Sequence, residues 1–228
     1  MEKPTYVLVH GAWGGAWCWS DLAKVFDARG VHYLTLDLPS SRGGASPTTD
    51  LSDDARALAL VANTGSPVTL VGHSYGGAVI TEAAPHIEHL TGLIYIAALV
   101  PDAGESATDV SRLVRARTQL DSAIKLDGEI LSLKSELVPS ALYGQCSKEV
   151  KEWATSKLST QTLASFRQAR TAVSTTAPRR YIRCSDDHAV DPSLQALMAG
   201  RCDESIEIYS DHSPFLSHPE ELADVLLD

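Results

Sequence analysis

The stretch Val68 to Ile80 limits what this chain can fold into more than any other. Four β-prone residues, Val68 to Val71, run into Gly72-His73-Ser74-Tyr75-Gly76, and a helical run follows from Gly77 to His86. The order is strand, sharp turn, helix, with a serine at the apex. Glycines two places before and two places after the serine fit a turn in which backbones come too close for side chains. The serine then sits in a strained conformation that holds its hydroxyl clear of the sheet. Ser74 is therefore the candidate nucleophile. An ordinary glycine-rich βα turn with a capping serine has the same pattern. The setting, after an apolar strand and at a helix start, is what gives the pattern weight.

The rest of the chain supplies that setting. Tyr6 to His10, Tyr33 to Leu38, Val68 to Val71 and Leu93 to Val100 read as strands, and most are near-continuous apolar runs. Helical spacing lies between them, over Leu22 to Phe26 (with Ser20-Asp21 as a cap and Gly30 as a stop) and over Leu51 to Val61. From Asp102 to about Ala177 the chain is more polar. Helices are expected there over Val110 to Leu120, Glu149 to Leu158 and Gln161 to Ala172, with one strand-like run from Glu129 to Leu133. Strands resume at Arg180 to Cys184 and Ser205 to Tyr209, with helices over Pro192 to Ala199 and Pro219 to Leu227. Alternating strands and helices of this kind predict an α/β fold, a mostly parallel sheet of about six strands flanked by helices. The expected organisation is one domain over residues 1–228, made of a core (1–101 and 178–228) and a small helical lid inserted at about 102–177. Ligands of such sheets bind beyond the carboxyl ends of the strands.

Length and composition narrow the function. The 228 residues suffice for one sizeable core. A net charge of −10 disfavours nucleic acid and anionic membranes, which need a basic face. Cys18, Cys146, Cys184 and Cys202 are scattered, with no C-x-x-C, and read as reduced thiols. No basic-then-apolar leader stands at the N-terminus and no apolar run has the length of a membrane span, so a cytoplasmic protein is the default expectation.

A serine hydroxyl needs a base, and the base needs an orienting acid. On an α/β sheet they follow in the order serine, acid, histidine, each just past a later strand. One late strand runs into Ser185-Asp186-Asp187-His188 and the other into Ser210-Asp211-His212-Ser213-Pro214. His212 is assigned as base and Asp187 as acid, with Asp186 a competitor one position away. His188 adjoins the acid and is poorly placed to partner it. His218 reads as a surface or capping residue, and His86-x-x-His89 as a solvated helix end, since no third metal ligand is evident. His10 is expected to shape its loop, and His32 and His73 are read as structural. For the oxyanion, the backbone N–H groups of Tyr75 and Ala12 are the candidate donors. Gly11, Trp13, Leu99, Pro214 and Phe215, with the Tyr75 ring, are the expected pocket residues. Trp17 and Trp19 are expected to pack the loop onto the core.

Assembled in order, His10-Gly11-Ala12-Trp13-Gly14-Gly15-Ala16-Trp17, Gly72 to Gly77, Tyr181 to Asp187 and Asp211-His212 resemble the α/β-hydrolase superfamily over the whole chain. More narrowly, they resemble its esterase and hydroxynitrile lyase branch, which includes plant methyl esterases and small bacterial esterases. The resemblance implies the α/β-hydrolase fold, a Ser-His-Asp triad, no metal and no organic cofactor. Alignment of the acid loop through Pro192 favours Asp187 over Asp186. The lyases of the branch carry threonine and lysine where this chain has Gly11 and Ser213, and the family loop often has histidine at the place of Gly14. The expectation is a serine carboxylic ester hydrolase acting on a small apolar or aromatic ester, as a monomer or homodimer. Cyanohydrin cleavage, or a receptor-like protein with a vestigial triad, are the alternatives. A haloalkane dehalogenase would need a carboxylate at position 74.

Overall fold

The computed structural model describes residues 3–228. In chain order the core opens with β1 (Thr5–Val9), α1 (Ser20–Arg29), β2 (Tyr33–Thr35), α2 (Leu51–Ala62), β3 (Val68–His73), α3 (Gly76–Ala83) and β4 (Leu90–Ile96). The following segment holds α4 (Ala107–Ser111), α5 (Gln119–Ala123), β5 (Ile124–Asp127), β6 (Ile130–Leu133), α6 (Val138–Leu142), α7 (Lys148–Lys157), β7 (Gln161–Thr162) and α8 (Leu163–Arg167). The core resumes with β8 (Arg179–Cys184), α9 (Pro192–Ala199), β9 (Glu204–Ile208), α10 (Pro214–Ser217) and α11 (Pro219–Leu227).

Six strands form one sheet in the order β2-β1-β3-β4-β8-β9, and every pairing is parallel. Successive side chains take opposite faces. Val7 and Val9 join Leu70, Leu93, Tyr95 and Tyr181 beneath α2, α3 and α9. Leu8 joins Val71, Ile94, Ile96 and Ile182 beneath α1, α10 and α11. Both faces are covered, which is why the strands read as continuous apolar runs. From β1 the chain moves outward to β2 and returns on the other side of β1 as β3. The loops after β1 and β3 therefore part at a switch in strand order, where open α/β sheets hold their ligands.

Local signals place the helices. An Asp50–Asp53 capping box starts α2. Gly30 at φ 65° ends α1, although Ser20 is a helix residue and caps nothing with its side chain. β2 stops at Thr35, three residues short of its expected end, and beyond it the Leu38 N–H donates to His10 Nε2 at 3.0 Å and not to a strand.

The segment between β4 and β8 departs most from expectation. It is not purely helical: β5, β6 and β7 form a small antiparallel sheet. In place of the expected helix over Val110 to Leu120 stand two short ones, α4 started early by the Ser106–Asp109 capping box and α5 started by a second box at Thr118–Asp121. The expected helix from Gln161 is a two-residue strand followed by the short α8. The two ends of the segment are tied together. The Gly104 N–H donates to the Arg170 carbonyl at 2.9 Å, and the Arg170 N–H to the Glu105 carbonyl at 2.8 Å. The Glu82 carboxylate anchors the returning end to α3, accepting from the Thr171 and Ala172 N–H groups at 3.0 and 3.1 Å.

Candidate active site

Ser74 sits at the carboxyl end of β3 with φ at 52°, and the backbone on both sides is pinned. Its N–H donates to the Ile96 carbonyl at 3.1 Å, and its own carbonyl accepts from the N–H groups of Gly77 and Leu99 at 3.0 Å each. A Cβ on Gly72 would stand 2.6 Å from the Gly76 carbonyl oxygen, and one on Gly76 would stand 2.5 Å from that of Val9. No side chain fits at either place. Two further non-glycine residues hold positive φ, Trp13 at 60° and Ala97 at 44°. They follow β1 and β4, the neighbours of β3, so the strain gathers at one end of the sheet. Each such residue costs on the order of 1–3 kcal/mol, which the surrounding packing has to outweigh.

The two late strand ends meet there. His212 Nδ1 lies 2.8 Å from Asp187 Oδ2, and both side chains are buried. Asp187 Oδ1 accepts from the Ala189 and Val190 N–H groups at 2.7 and 3.0 Å. Asp186 is turned out of the site, accepting from Gln145 Nε2 at 2.8 Å, with the half-exposed His188 3.8 Å away. The register of the loop thus separates the two aspartates. His86, Glu88 and His89 are exposed, and the described residues contain no group of three or more side chains arranged to hold a metal ion.

Residues around Ser74, Asp187 and His212 support this arrangement, and one of them, Gln195, carried no signal in the sequence. Gln195 of α9 donates to Asp187 Oδ2 at 2.9 Å and to the Val190 carbonyl at 2.8 Å, while its own carbonyl accepts from the Cys184 N–H at 2.8 Å. Asp211 accepts from the N–H groups of Gln145 at 2.9 Å and Ser213 at 3.1 Å, and from Ser217 Oγ at 2.8 Å. His73 does more than fill space: its Nε2 donates to the His212 carbonyl at 2.8 Å. Burial, then the neighbouring His212, hold the His73 pKa well below the ordinary value, so the ring is neutral. His10 shapes its loop as expected, with Nδ1 2.8 Å from the Gly11 carbonyl. Burial pushes its pKa down to about 4.

Ser74 opens onto two cavities. One, of about 220 Å³, is largely apolar and is roofed by the segment between β4 and β8, through Val114, Ile124, Leu131, Leu163 and Phe166. Trp13 and Leu99 line it from the core. The other, of about 30 Å³, is lined by Gly11, Trp17, Tyr143, His212 and Phe215 among others. Of the expected pocket residues, Pro214 lines neither: it is buried in the first turn of α10. The Tyr75 ring also turns away, stacking on Phe166 with centroids 5.1 Å apart. Trp19 packs on Phe215 as a core residue, as expected, whereas Trp17 is only partly buried: it lines the smaller cavity and lies edge-on against the exposed Trp153.

Comparison with known proteins agrees with this fold. Residues 6–225 match the alpha/beta hydrolase family. The alpha/beta hydrolase nvfD of Aspergillus novofumigatus is 30% identical over 236 residues, 96% of this chain and 94% of that protein. Methylesterase 18 of Arabidopsis thaliana is 27% identical over 256 residues, 100% of this chain and 97% of its own length. Among solved structures, a pyrethroid hydrolase from Sphingobium faniae JZ-2 superposes with a TM-score of 0.86 at 23% identity, over 99% of this chain and 96% of that one. The chain belongs to the alpha/beta hydrolase family. It is an enzyme, and its relatives include named esterases.

Proposed function

We propose that the protein is a serine ester hydrolase in which Ser74, His212 and Asp187 act as nucleophile, general base and orienting acid. The observation that carries this reading is the buried 2.8 Å contact between His212 Nδ1 and Asp187 Oδ2, with His212 facing the same small cavity as Ser74. Asp187 holds the proton on Nδ1 and leaves Nε2 as the basic nitrogen. Nε2 takes the Ser74 proton as Oγ attacks the ester carbonyl. The Ala12 and Tyr75 N–H groups receive the oxyanion, and neither donates to a protein acceptor among the hydrogen bonds of the described residues. His212 then protonates the leaving alcohol and activates the water that hydrolyses the acyl-enzyme.

The two cavities support an assignment for the halves of the substrate. The leaving oxygen must face His212, and His212 lines only the smaller cavity. The alcohol is therefore compact, such as methanol, and the acyl group is the bulky apolar part in the larger cavity. Relatives named as methylesterases support this reading. Cyanohydrin cleavage is disfavoured. A Cβ at Gly11 would stand 2.9 Å from Ser74 Cβ, so no hydroxyl-bearing side chain fits there without a shift. Ser213 offers no cation. The test is a panel of esters of one bulky aromatic acid with methyl, butyl and benzyl alcohols. The methyl ester turns over fastest, by about tenfold or more over benzyl, and Ser74→Ala abolishes all of it. Turnover surviving in Ser74→Ala defeats the reading, while a benzyl preference reverses only the assignment of the cavities.

A further inference from the structure

A buried polar network lies behind the site and touches neither cavity's reacting atoms. Its centre is Ser40, in the loop after β2. The Ser40 N–H donates to Asp54 Oδ1 at 2.9 Å, and its hydroxyl donates to Asp54 Oδ2. Asp54, on α2, is fully buried and faces no cation: its third donor is the Tyr75 hydroxyl, 2.8 Å from Oδ2. On the other side, Gln161 of β7 donates through Nε2 to Ser40 Oγ at 2.8 Å and to Ser165 Oγ at 2.6 Å. Its Oε1 accepts from the Ser41 hydroxyl and from the Trp13 N–H, the latter at 3.3 Å. Ser40, Asp54, Tyr75, Gln161 and Ser165 are all 0% exposed.

The two ends of this network are the informative part. Tyr75 follows Ser74 and bears one proposed oxyanion donor. Trp13, held at φ 60°, directly follows Ala12, which bears the other. Both donors therefore sit on backbone whose orientation is set through one continuous chain of hydrogen bonds, Tyr75–Asp54–Ser40–Gln161–Trp13. The link that closes it, Gln161, belongs to the segment that roofs the larger cavity, and the Trp13 indole N–H donates to the Leu131 carbonyl of that same segment at 3.2 Å. A displacement near 1 Å at such donors costs up to about a hundredfold in rate.

We infer that Asp54 and Gln161 are positioning residues that hold the Ala12 and Tyr75 N–H groups at the spacing an oxyanion needs. Through Gln161 the roofing segment sets the geometry of the catalytic centre as well as the shape of its cavity. This rests on the proposed ester hydrolysis at Ser74. Because the network meets the transition state only through the oxyanion donors, its loss falls on kcat and leaves ground-state binding in place.

The test compares Tyr75→Phe, which removes one oxygen, with Gln161→Leu and the double variant. Each is assayed for kcat and KM on an aryl methyl ester and for inhibition by two ketones of the same skeleton. The alkyl trifluoromethyl ketone adds to Ser74 as an oxyanion; the methyl ketone binds unreacted. Each single variant is expected to lose about tenfold to a hundredfold in kcat with KM within about threefold. The trifluoromethyl ketone should weaken in parallel while the methyl ketone does not. The double variant should lose little more than the worse single one, since both break the same chain. If Gln161→Leu fails to fold, Tyr75→Phe alone carries the test. Unchanged kcat with a lowered Tm, or equal weakening of both ketones, overturns the inference. Turnover persisting in a parallel Ser74→Ala assay would instead remove the ester-hydrolase reading beneath it.

Discussion

The two halves of this molecule meet at Ser74 and specify their contributions differently. In the core, the positions of the site residues follow from backbone: Ser74, the loop after His10, Asp187 and His212 each stand just past a strand of one parallel sheet. In the segment between β4 and β8, the contributions come from side chains on short elements: Leu163 and Phe166 on α8, Leu131 on β6, Gln161 on β7. A strand end in a six-stranded sheet has little freedom. An element of two to five residues takes its place from whatever it packs against. On the proposed reading, chemistry belongs to the first half and selection to the second, with Gln161 as the point where they join.

The largest effect separates the aspartates of the core. Asp187→Asn should lower kcat/KM for a methyl ester by about 10³–10⁴-fold, because His212 loses the partner that fixes its tautomer. Asp186→Asn should cost less than about threefold, since that carboxylate bonds only Gln145 and neighbours an exposed histidine. Comparable losses in the two variants would break the claim that strand-end register sets the chemistry.

Next comes selection. Leu163→Trp fills part of the larger cavity. Esters of bulky acids should lose about tenfold to a hundredfold in kcat/KM, while acetyl esters change little. Uniform loss across acyl groups would mean that α8 does not govern the acyl side.

A last effect is on stability rather than turnover, and it sets two buried groups against each other. Burial holds His10 neutral with a pKa of about 4, below the ordinary 6.5. The unfolded chain thus takes up the proton first, and stability falls as pH drops from 6.5 toward 4. Asp54 is the opposite case: burial raises its pKa from 3.8 to about 6. The unfolded chain loses that proton first, so stability rises as pH drops from 6 toward 3.8. Each contribution is at most about 3 kcal/mol. Asp54→Asn removes only the compensating one. Urea titrations from pH 7 to 4 should therefore show the variant losing up to about 3 kcal/mol more than the parent over that range. Parallel profiles would contradict the pairing.

The same contrast accounts for what could be read in the sequence. The strands of the core, the serine on its turn and the two late loops follow from apolar runs, glycines and chain order. The acid could not be fixed by residues alone, because Asp186 and Asp187 differ only in which way a loop turns, and two N–H groups and Gln195 decide that. The roofing segment departs from its helical pattern for two separate reasons. Ser106-x-x-Asp109 is a capping signal ahead of the stretch of helical spacing and starts a helix before it, while Thr118-x-x-Asp121 begins inside the stretch and opens a second helix there. Gln161 stands in a helical pattern but pairs Leu131 of β6, and its amide is spent on Ser40, Ser165 and Trp13. Tertiary contacts override propensity there. Nothing in the spacing of Ser40, Asp54 and Gln161 marks them as neighbours, since their proximity exists only in the folded chain.

The central claim is that Ser74 is a nucleophile activated by His212. Stoichiometric labelling with a fluorophosphonate ester, read by intact mass and peptide mapping, tests it most directly. The account predicts one adduct per chain, on Ser74, with ester turnover falling in proportion to labelling, no adduct in Ser74→Ala and slow labelling in His212→Ala. An adduct on another residue, or a fully labelled protein that still turns over ester, would contradict it.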